Sequence, residues 1–560
     1  MDRSRYSINI GKLLIILPLI FMAIFYFFPL FKIIQLSFSE ISDWSIPGLK
    51  AVFGKTYLLK VFWFTFWQAL ASTFLSLILA IPGAYFYANY NFIGKRFLSI
   101  FSMLPFVLPT IVVAIAFQTF IGPDGVFNAT LMKIFDLKEP IIKINQSIWF
   151  ILLAHVFYNY SVIFRIVTAF WSQIRQDVHE AAAILGADPK KIFFKITLPL
   201  LKAPIIASSL LVFTLCFCSF GVILILGGPG YSTIEVEIYH QAVNFFNLPL
   251  AAALSLIQIL FSFILMALYT GIQKRASFKM DQNLVGICEQ KVNSNRKKIV
   301  LVLFNGLIFL FISCPVLSLI YKSFHSEHGL SLKYYLALFE NRNDSLFYVP
   351  PMDSIFMSLS FALATLFISL SLGLLTAYGI NNQKNRVQYF LDPLFMLPLS
   401  TSAVTLGFGI IISLDQPPLN LRMSPLIIPI THSLIALPFV LRSLLPVIRS
   451  VPQNLKDAAR TMGATPYKAW YLVELPHISR GLIVAAIFAF TISLGEFGAT
   501  ILVARPQTPT ISLTIFRFLN QPGDINFGQA MAMSSVLLMI TAIGFIVLEF
   551  NRKKRTGELI

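Results

Sequence analysis

Two stretches of the chain share one residue pattern at an offset of 277 positions. Residues 180–186 read EAAAILG and are followed, after nine residues, by ITLP at 196–199. Residues 457–463 read DAARTMG and are followed, after the same spacing, by VELP at 473–476. Alanine-rich segments favour helix, and their small side chains let another surface approach closely. The pattern therefore predicts the same local structure twice.

A glycine and a proline punctuate each stretch. Gly186 and Gly463 follow the alanine-rich segment, where glycine supplies the backbone conformation that ends a helix. Pro189 and Pro466 come three residues later, and proline is favoured in the first turn of a helix. Each stretch is thus predicted to form a helix, a glycine turn and a second short helix.

The composition around these stretches is that of a membrane protein. Of the 560 residues, 57% are hydrophobic and only 12% are charged, with a mean hydropathy of +0.77. Apolar runs of about 20 residues, enough to cross roughly 30 Å of hydrocarbon, recur throughout. The first run, near 13–38, is too long for a signal-peptide core and is predicted to be a retained span. We predict an all-α integral membrane protein.

Twelve spans are predicted, six in each half of the chain. They lie near 13–38, 61–88, 97–121, 147–170, 203–226, 249–272, 299–322, 354–380, 387–413, 425–447, 482–504 and 527–550. The expected domains are a first repeat (1–272, loop near 171–202), a basic linker (273–298) and a second repeat (299–560, loop near 448–481).

The halves repeat in detail. Ala69 matches Ala362 at an offset of 293, and His155 matches His432 at an offset of 277. The change of offset falls in the loop after the third span, where an insertion leaves the helices in register. Six spans are an even number, so both copies enter the membrane in the same orientation and the repeat is parallel.

Basic residues set the predicted orientation. Most of the 43 Lys and Arg residues lie on one side if the N-terminus is inside. By the positive-inside rule, the two paired loops, the linker and both termini are then cytoplasmic. The formal charge of +18 is distributed between spans in this way, so it does not indicate nucleic-acid binding.

The paired loops resemble the EAA signature of permease subunits of binding-protein-dependent type I ABC importers, here in a fused two-repeat form. The resemblance covers the whole chain and implies a bacterial inner-membrane permease with two copies of an ABC ATPase and an extracytoplasmic solute-binding protein as partners. Asp457 stands where the family usually has Glu. The alternative is a pair of amphipathic loops without a special role. The residues implied to contact the ATPase are Glu180, Ala181, Ala182, Gly186, Leu198, Pro199, Asp457, Ala458, Ala459, Gly463, Leu475 and Pro476.

No phosphate-binding loop is found in the sequence. Five residues separate Gly48 from the Gly54-Lys55-Thr56 stretch, where a P-loop has four. We therefore expect a non-catalytic subunit that binds no cofactor, with ATP and Mg²⁺ used by a partner chain. No metal site is expected either, and His155 and His432, in mid-span, are expected to make helix–helix hydrogen bonds.

The fifth span of the second half contains Glu496, an ionisable residue where exposure to lipid is costly. Its surroundings, GEFGA at 495–499, resemble the permeases for sulfate, molybdate, ferric iron and thiamine. We expect Glu496 to face either the pathway or the interface between halves. The candidate pathway residues are Glu496, Phe497, Gly498 and their first-half counterparts Ser219, Phe220 and Gly221.

The segment 226–239, LGGPGYSTIEVEIY, looks most like thiamine permeases and next like ferric-iron permeases. Its acids could meet a binding protein or a cationic solute, but an external re-entrant or amphipathic loop is favoured over a direct ligand site. The substrate is therefore predicted to be thiamine-like or ferric iron, before oxyanions or polyamines. An ion-coupled secondary transporter is the alternative, but it predicts several intramembrane charges, and one clear acid is seen.

Overall fold

The structure is a computed structural model. It describes residues 3–38, 54–143, 146–174, 176–228, 230–277, 290–292, 294–326, 329–340, 349–383, 385–415 and 419–553. Gly48 and most of the predicted linker lie outside these residues.

Contacts divide the chain into two compact units. The second-repeat unit comprises Met1–Gly54, Ile238–Ile259 and Ser323–Ile560, and the first-repeat unit comprises Lys55–Glu237 and Leu260–Lys322. The second-repeat unit thus holds the last five spans of its predicted repeat and the first span of the other. The first-repeat unit holds spans two to five of its repeat and most of the first span of the other, and the sixth span, Leu248–Ser277, is divided between the units. The repeat boundaries stay predictions.

The first-repeat unit is helical. Its helices are Thr56–Asn89, Lys95–Phe101, Leu104–Val107, Thr110–Ile121, Val126–Phe135, Ile148–Trp171, Gln176–Ile184, Pro189–Ile192, Leu198–Phe217, Gly221–Leu226 and most of Asn295–Phe324, with a π-helical turn at Phe193–Thr197. The helix Ile234–Tyr239 crosses the boundary between units. Strands Tyr90–Asn91 and Gln290–Lys291 pair in parallel.

The second-repeat unit is also helical. Its helices are Arg3–Met22, Phe28–Ser37, Lys333–Leu336, Pro351–Asn381, Asn385–Ser400, Ala403–Ser413, Ile427–Arg449, Gln453–Thr461, Pro466–Ala469, Leu475–Gly495, Thr500–Val503, Ile511–Leu519 and Asp524–Lys553. Single turns of π-helix occur at Ala23–Phe27, His240–Asn244 and Trp470–Glu474, and of 3-10 helix at Ala337–Phe339 and Leu421–Met423. Strands His325–Ser326 and Gly329–Leu330 form a short antiparallel pair.

The prediction of an all-α membrane protein is confirmed. The described residues contain 11 helices long and apolar enough to cross a membrane, or 12 if a pair bent by 95°, Phe390–Ser400 with Ala403–Ser413, forms one span. The third span of each half is therefore not a continuous helix, contrary to prediction. In the first half, Leu108 and Pro109 are extended and a new helix begins at Thr110. Proline has no amide hydrogen and disfavours helix in the residue before it, which explains this break.

The first span packs inside the second-repeat unit. A Cβ placed on Gly379 would lie 3.0 Å from Ile15 Cβ, so the absence of a side chain there permits a close helix contact. The Tyr26 hydroxyl lies 2.8 Å from Thr401 Oγ1. The seventh span packs likewise in the first-repeat unit, where Tyr87 donates to Asn305 Oδ1 at 2.7 Å.

Candidate functional site in the paired loops and the broken fifth spans

The two loops have the same backbone. The first loop is Gln176–Ile184, a turn, Pro189–Ile192 and the π-helical turn Phe193–Thr197, which runs into Leu198–Phe217. The second loop is Gln453–Thr461, a turn, Pro466–Ala469 and the π-helical turn Trp470–Glu474, which runs into Leu475–Gly495. Every helix start matches at the offset of 277, so the predicted helix–turn–helix is confirmed in both copies.

A glycine in the left-handed conformation closes the first helix of each loop. Gly186 has φ +79° and Gly463 has φ +81°. In the first loop, Ala187 N–H donates to Ala182 O at 3.0 Å, and Ala464 N–H donates to Ala459 O at 3.0 Å in the second. These bonds satisfy carbonyls at the helix end. No atom of the described residues lies within 4 Å of a Cβ built on either glycine, so the backbone conformation, rather than space, favours glycine.

Large apolar side chains project from both loops. Ile184 and Leu185 are each 86% exposed, and Met462 is 88% exposed. Of the residues predicted to contact an ATPase, most are exposed, while Ala182, Ala459 and Leu475 are half-buried. Apolar groups exposed in a cluster are typical of a surface that another molecule covers.

An ionic network attaches the second loop to its spans. Glu474 Oε2 lies 3.1 Å from Lys456 Nζ, and both side chains are 15% exposed. The same oxygen accepts from the Tyr378 hydroxyl at 3.0 Å. Trp470 Nε1 donates to Tyr378 at 3.0 Å, so the second span, the loop helix and the fifth span are joined.

The first loop has uncharged groups at the matching positions. His179 Nε2 lies 3.1 Å from Thr197 Oγ1, where the second loop has the Lys456–Glu474 ion pair. Burial lowers the pKa of His179, which favours the neutral ring. Trp171 packs against Phe193 with ring centroids 6.1 Å apart, and against Tyr85 at 5.6 Å.

The helix of each predicted fifth span contains a break. The first break, Cys218–Phe220, separates Leu198–Phe217 from Gly221–Leu226. The second break, Glu496–Ala499, separates Leu475–Gly495 from Thr500–Val503. The six predicted pathway residues thus lie at the two breaks, each set within its own unit. Phe220, Gly221, Phe497 and Gly498 are buried, whereas Ser219 and Glu496 are half-buried.

Glu496 stabilises the helix that follows its own break. Its Oε1 accepts a hydrogen bond from Ala499 N–H at 2.9 Å. Its carbonyl lies 3.1 Å from Thr500 Oγ1, which donates to it. The carboxylate therefore serves as a helix cap, a contact within the second repeat that neither predicted environment of Glu496 described.

The two mid-span histidines make the hydrogen bonds predicted for them. His432 Nδ1 lies 2.8 Å from Ser493 Oγ, and its Nε2 lies 2.8 Å from Thr500 Oγ1. His155 Nδ1 lies 3.0 Å from Ser72 Oγ, and its Nε2 lies 2.9 Å from Ser219 Oγ. Both rings are buried, and among the described residues no three His, Cys, Asp or Glu side chains are grouped to hold a metal ion.

The segment predicted as an external loop is partly helical, and its acids are buried. Ile234 N–H donates to Thr65 Oγ1 at 3.1 Å as the helix Ile234–Tyr239 begins. Glu235 and Glu237 are buried, and Tyr57 donates to Glu237 Oε2 at 2.9 Å. In this structure the acids of this segment are packed in the fold rather than displayed to a partner.

Sequence reasoning missed one intramembrane acid and the attachments of the loops. Asp392 lies in the first half of the broken third span and is half-buried, and its Oδ1 has no hydrogen-bond partner among the described residues. A search of the predicted span 387–413 for charged residues would have found it. The Lys456–Glu474 pair is 18 positions apart, and no helical spacing indicates it.

Comparison with known families identifies the fold. The model of the family described as the binding-protein-dependent transport system inner membrane component matches twice, at residues 72–278 and 369–555. The chain belongs to this family. Each match contains one of the paired loops and one broken fifth span. The prediction that the chain is a fused two-repeat permease is therefore confirmed.

Curated relatives match over most of their length. The thiamine transport system permease protein ThiP of Haemophilus influenzae is 26% identical over 512 residues, 90% of each chain. ThiP of Brucella abortus is 27% identical over 490 residues, 86% of each chain. The ferric transport system permease protein FbpB of Actinobacillus pleuropneumoniae is 24% identical over 544 residues, 95% of this chain and 76% of that protein.

Proposed function

We propose that this permease is the pathway subunit of an ATP-driven importer. It receives solute from an extracytoplasmic binding protein and moves it inward by alternating access. Two copies of a separate ABC ATPase hydrolyse ATP with Mg²⁺, and this chain binds no cofactor itself. The observation that carries the proposal is the pair of identically folded loops with exposed apolar side chains.

The loops are built to transmit motion. In each, a first helix is followed by a glycine turn, and a short helix and a π-helical turn then run directly into the fifth span. A partner that binds the loop would therefore move the fifth span through the helix that begins after the turn. Two matched loops also fit two copies of one ATPase.

The proposed orientation places both loops, and both termini, in the cytoplasm. The support is the distribution of Lys and Arg, which favours this side by the positive-inside rule. The ATPase would then dock inside, and the binding protein outside, of a bacterial inner membrane.

The proposed pathway includes the two breaks of the fifth spans. Irregular backbone at membrane depth is tolerated where it is buried in protein or lines a cavity. In transporters, such discontinuous helices commonly provide substrate sites. The residues proposed to line the pathway lie at the two breaks: Glu496, Phe497 and Gly498 at the second, and Ser219, Phe220 and Gly221 at the first.

The proposed substrate is thiamine-like, with ferric iron second. The support is that the relatives reported above are named thiamine and ferric permeases. Oxyanions and polyamines rank below these two.

Co-purification tests the proposal. Tagged chain is isolated from membranes and assayed for a bound ATPase, with and without Gly186→Arg plus Gly463→Arg. We expect the ATPase to co-purify with the native chain and to fall at least about tenfold in the double variant, because arginine resists the left-handed conformation.

Gly94→Arg is the matched control. Gly94 has φ +82° and lies outside both loops, and its Cβ position is more than 4 Å from every atom in the part of the chain that the structure describes. It should therefore keep the ATPase. If the native chain elutes without ATPase, the importer is contradicted, and ion-driven uptake by the chain alone becomes the outcome to measure in proteoliposomes.

A further inference from the structure

The two buried histidines make different hydrogen-bond contacts at the two breaks. His432 contacts both sides of the second break, because Ser493 lies in the last turn of the long half-helix and Thr500 begins the short one. His155 contacts the first break at a single residue, Ser219, and uses its other nitrogen for Ser72 of the second span. The His432 ring thus bridges the second break, whereas the His155 ring contacts the first break at one residue.

The protons of the second break follow a consistent chain. Thr500 donates its hydroxyl proton to Glu496 O, so it accepts from His432 Nε2–H. Ser493 Oγ lies 2.8 Å from His432 Nδ1 and also donates to Thr365 Oγ1 of the second span at 3.2 Å. Both hydroxyls at the second break are therefore hydrogen-bonded, which is what makes a buried polar group stabilising.

The first repeat lacks the residues for such a bridge. The positions that match Ser493 and Thr500 are Cys216 and Ile223. Isoleucine has no hydrogen-bonding side chain, so the short half-helix Gly221–Leu226 cannot bind a histidine in this way. Ser219 replaces the capping carboxylate of Glu496 and is itself engaged with His155.

We propose that His432 is a positioning residue that fixes the short half-helix Thr500–Val503 to the rest of its fifth span. The first break, where His155 bonds to Ser219 and no histidine reaches the short half-helix, lacks such a bridge and is then the one that rearranges during transport. The consequence for transport rests on the proposed function. The proposed difference in rigidity between the two breaks concerns this chain alone and does not depend on it.

Hydrogen exchange of the full-length chain in lipid nanodiscs tests the rigidity directly. We expect the amides of 500–504 to exchange more slowly than those of 223–227 in the native protein. His432→Asn places its amide two bonds from Cβ, like Nδ1. It should keep the hydrogen bond to Ser493 but lose the one to Thr500. His432→Gln places its amide three bonds from Cβ, like Nε2, and should keep Thr500.

The two variants should therefore differ in amide exchange at the short half-helix. We expect exchange at 500–504 to rise about three- to tenfold in His432→Asn, the factor typical of one buried hydrogen bond in a membrane protein, and to stay near native in His432→Gln. Thr500→Val and Thr500→Ser repeat the contrast without altering the histidine, should either histidine variant fail to fold. Equal exchange at both breaks in the native chain, or no difference within either pair, overturns the proposal.

Transport provides the second readout. In proteoliposomes with the co-purified ATPase and binding protein, we expect His432→Asn to lower thiamine uptake per ATP hydrolysed about threefold or more, with rescue in His432→Gln. A merely structural role would lower uptake and hydrolysis together. Failure of the native complex to hydrolyse ATP contradicts the proposed function and leaves the exchange result standing, whereas equal exchange contradicts the positioning role alone.

Discussion

The two loops share a backbone and differ in what attaches them to their spans. Gly186 and Gly463 close their helices with the same hydrogen bonds and nearly the same φ. The attachments diverge at matching positions, where the first loop has an uncharged His179–Thr197 pair and the second has a Lys456–Glu474 ion pair. Loop shape is thus determined locally, by glycine and proline, while the strength of attachment depends on side chains from other elements.

This difference has a mechanical consequence. The second loop is joined to its second span through Tyr378 and to its fifth span through Glu474. At the matching positions the first loop has a neutral hydrogen bond, and Trp171 packs against Phe193 in a tilted arrangement. We therefore expect the ion pair to hold the second loop to its spans more strongly than the neutral pair holds the first.

The largest expected effect comes from the shared backbone. Gly463→Val forces a β-branched residue into the left-handed region, at a cost of about 1–3 kcal/mol, and should remove the ATPase from that loop. Gly463→Asn should retain it, because asparagine tolerates this conformation. Co-purified ATPase measures both, and equal loss in the two variants would show that the side chain rather than φ matters. The same contrast at Gly186 should give the same result.

The next effect should be confined to the second loop. Glu474→Gln leaves the Lys456 charge without its partner at 15% exposure, which we expect to destabilise the loop by about 1–3 kcal/mol. Limited proteolysis within 453–474 should accelerate. The matched change Thr197→Val removes one neutral hydrogen bond and should have a smaller effect on 176–197. A larger effect in the first loop would reverse the comparison.

A smaller effect should follow from removing one hydroxyl. Tyr378→Phe deletes the group that donates to Glu474 and accepts from Trp470, a loss of about 1 kcal/mol. Tyr85→Phe is the control at the matching position, because its hydroxyl lies 3.1 Å from Tyr90, outside the loop. Exchange of the second loop should rise in Tyr378→Phe, and exchange of the first loop should stay unchanged in Tyr85→Phe.

The smallest effect should be a pH dependence of the first loop. Burial lowers the pKa of His179 below its ordinary value of 6.5. The neutral form is therefore favoured in the folded loop, and the stability it provides is present above pH 6.5 and lost as pH falls through the lowered pKa. Exchange of 176–184 should rise from about pH 7.5 to about pH 5.5 after correction for intrinsic rates. His179→Gln should abolish the dependence.

The sequence predicted the parts of this fold that local chemistry determines. The paired loops follow from alanine, glycine and proline at fixed spacing, and the spans follow from apolar runs of sufficient length. The breaks in the third and fifth spans were not predicted, because hydropathy is continuous across them. Proline at 105 and 109 and glycine at 495 and 498 were visible, but such residues are also tolerated in unbroken membrane helices.

The long-range features could not be predicted from the residues. That the first span packs against Gly379 of the second repeat depends on tertiary contacts with no periodic signal. The bridge from His432 to Ser493 and Thr500 likewise joins residues 61 and 68 positions apart. The duplication allowed one of these long-range features to be predicted. His155 and His432 recur at one repeat position, and a shared role in helix–helix hydrogen bonding was inferred from that recurrence.

The central claim, that the paired loops hold the ATPase, is tested most directly by photocrosslinking in membranes. A photoreactive residue replaces Leu185 in one variant and Met462 in another, the most exposed apolar positions of the two loops, with Ile93, fully exposed outside them, as the control. The account predicts a crosslink from both loop positions to a separate ATP-binding chain, and none from the control. Crosslinks to lipid alone at both loop positions, with the chain folded and inserted, would contradict it.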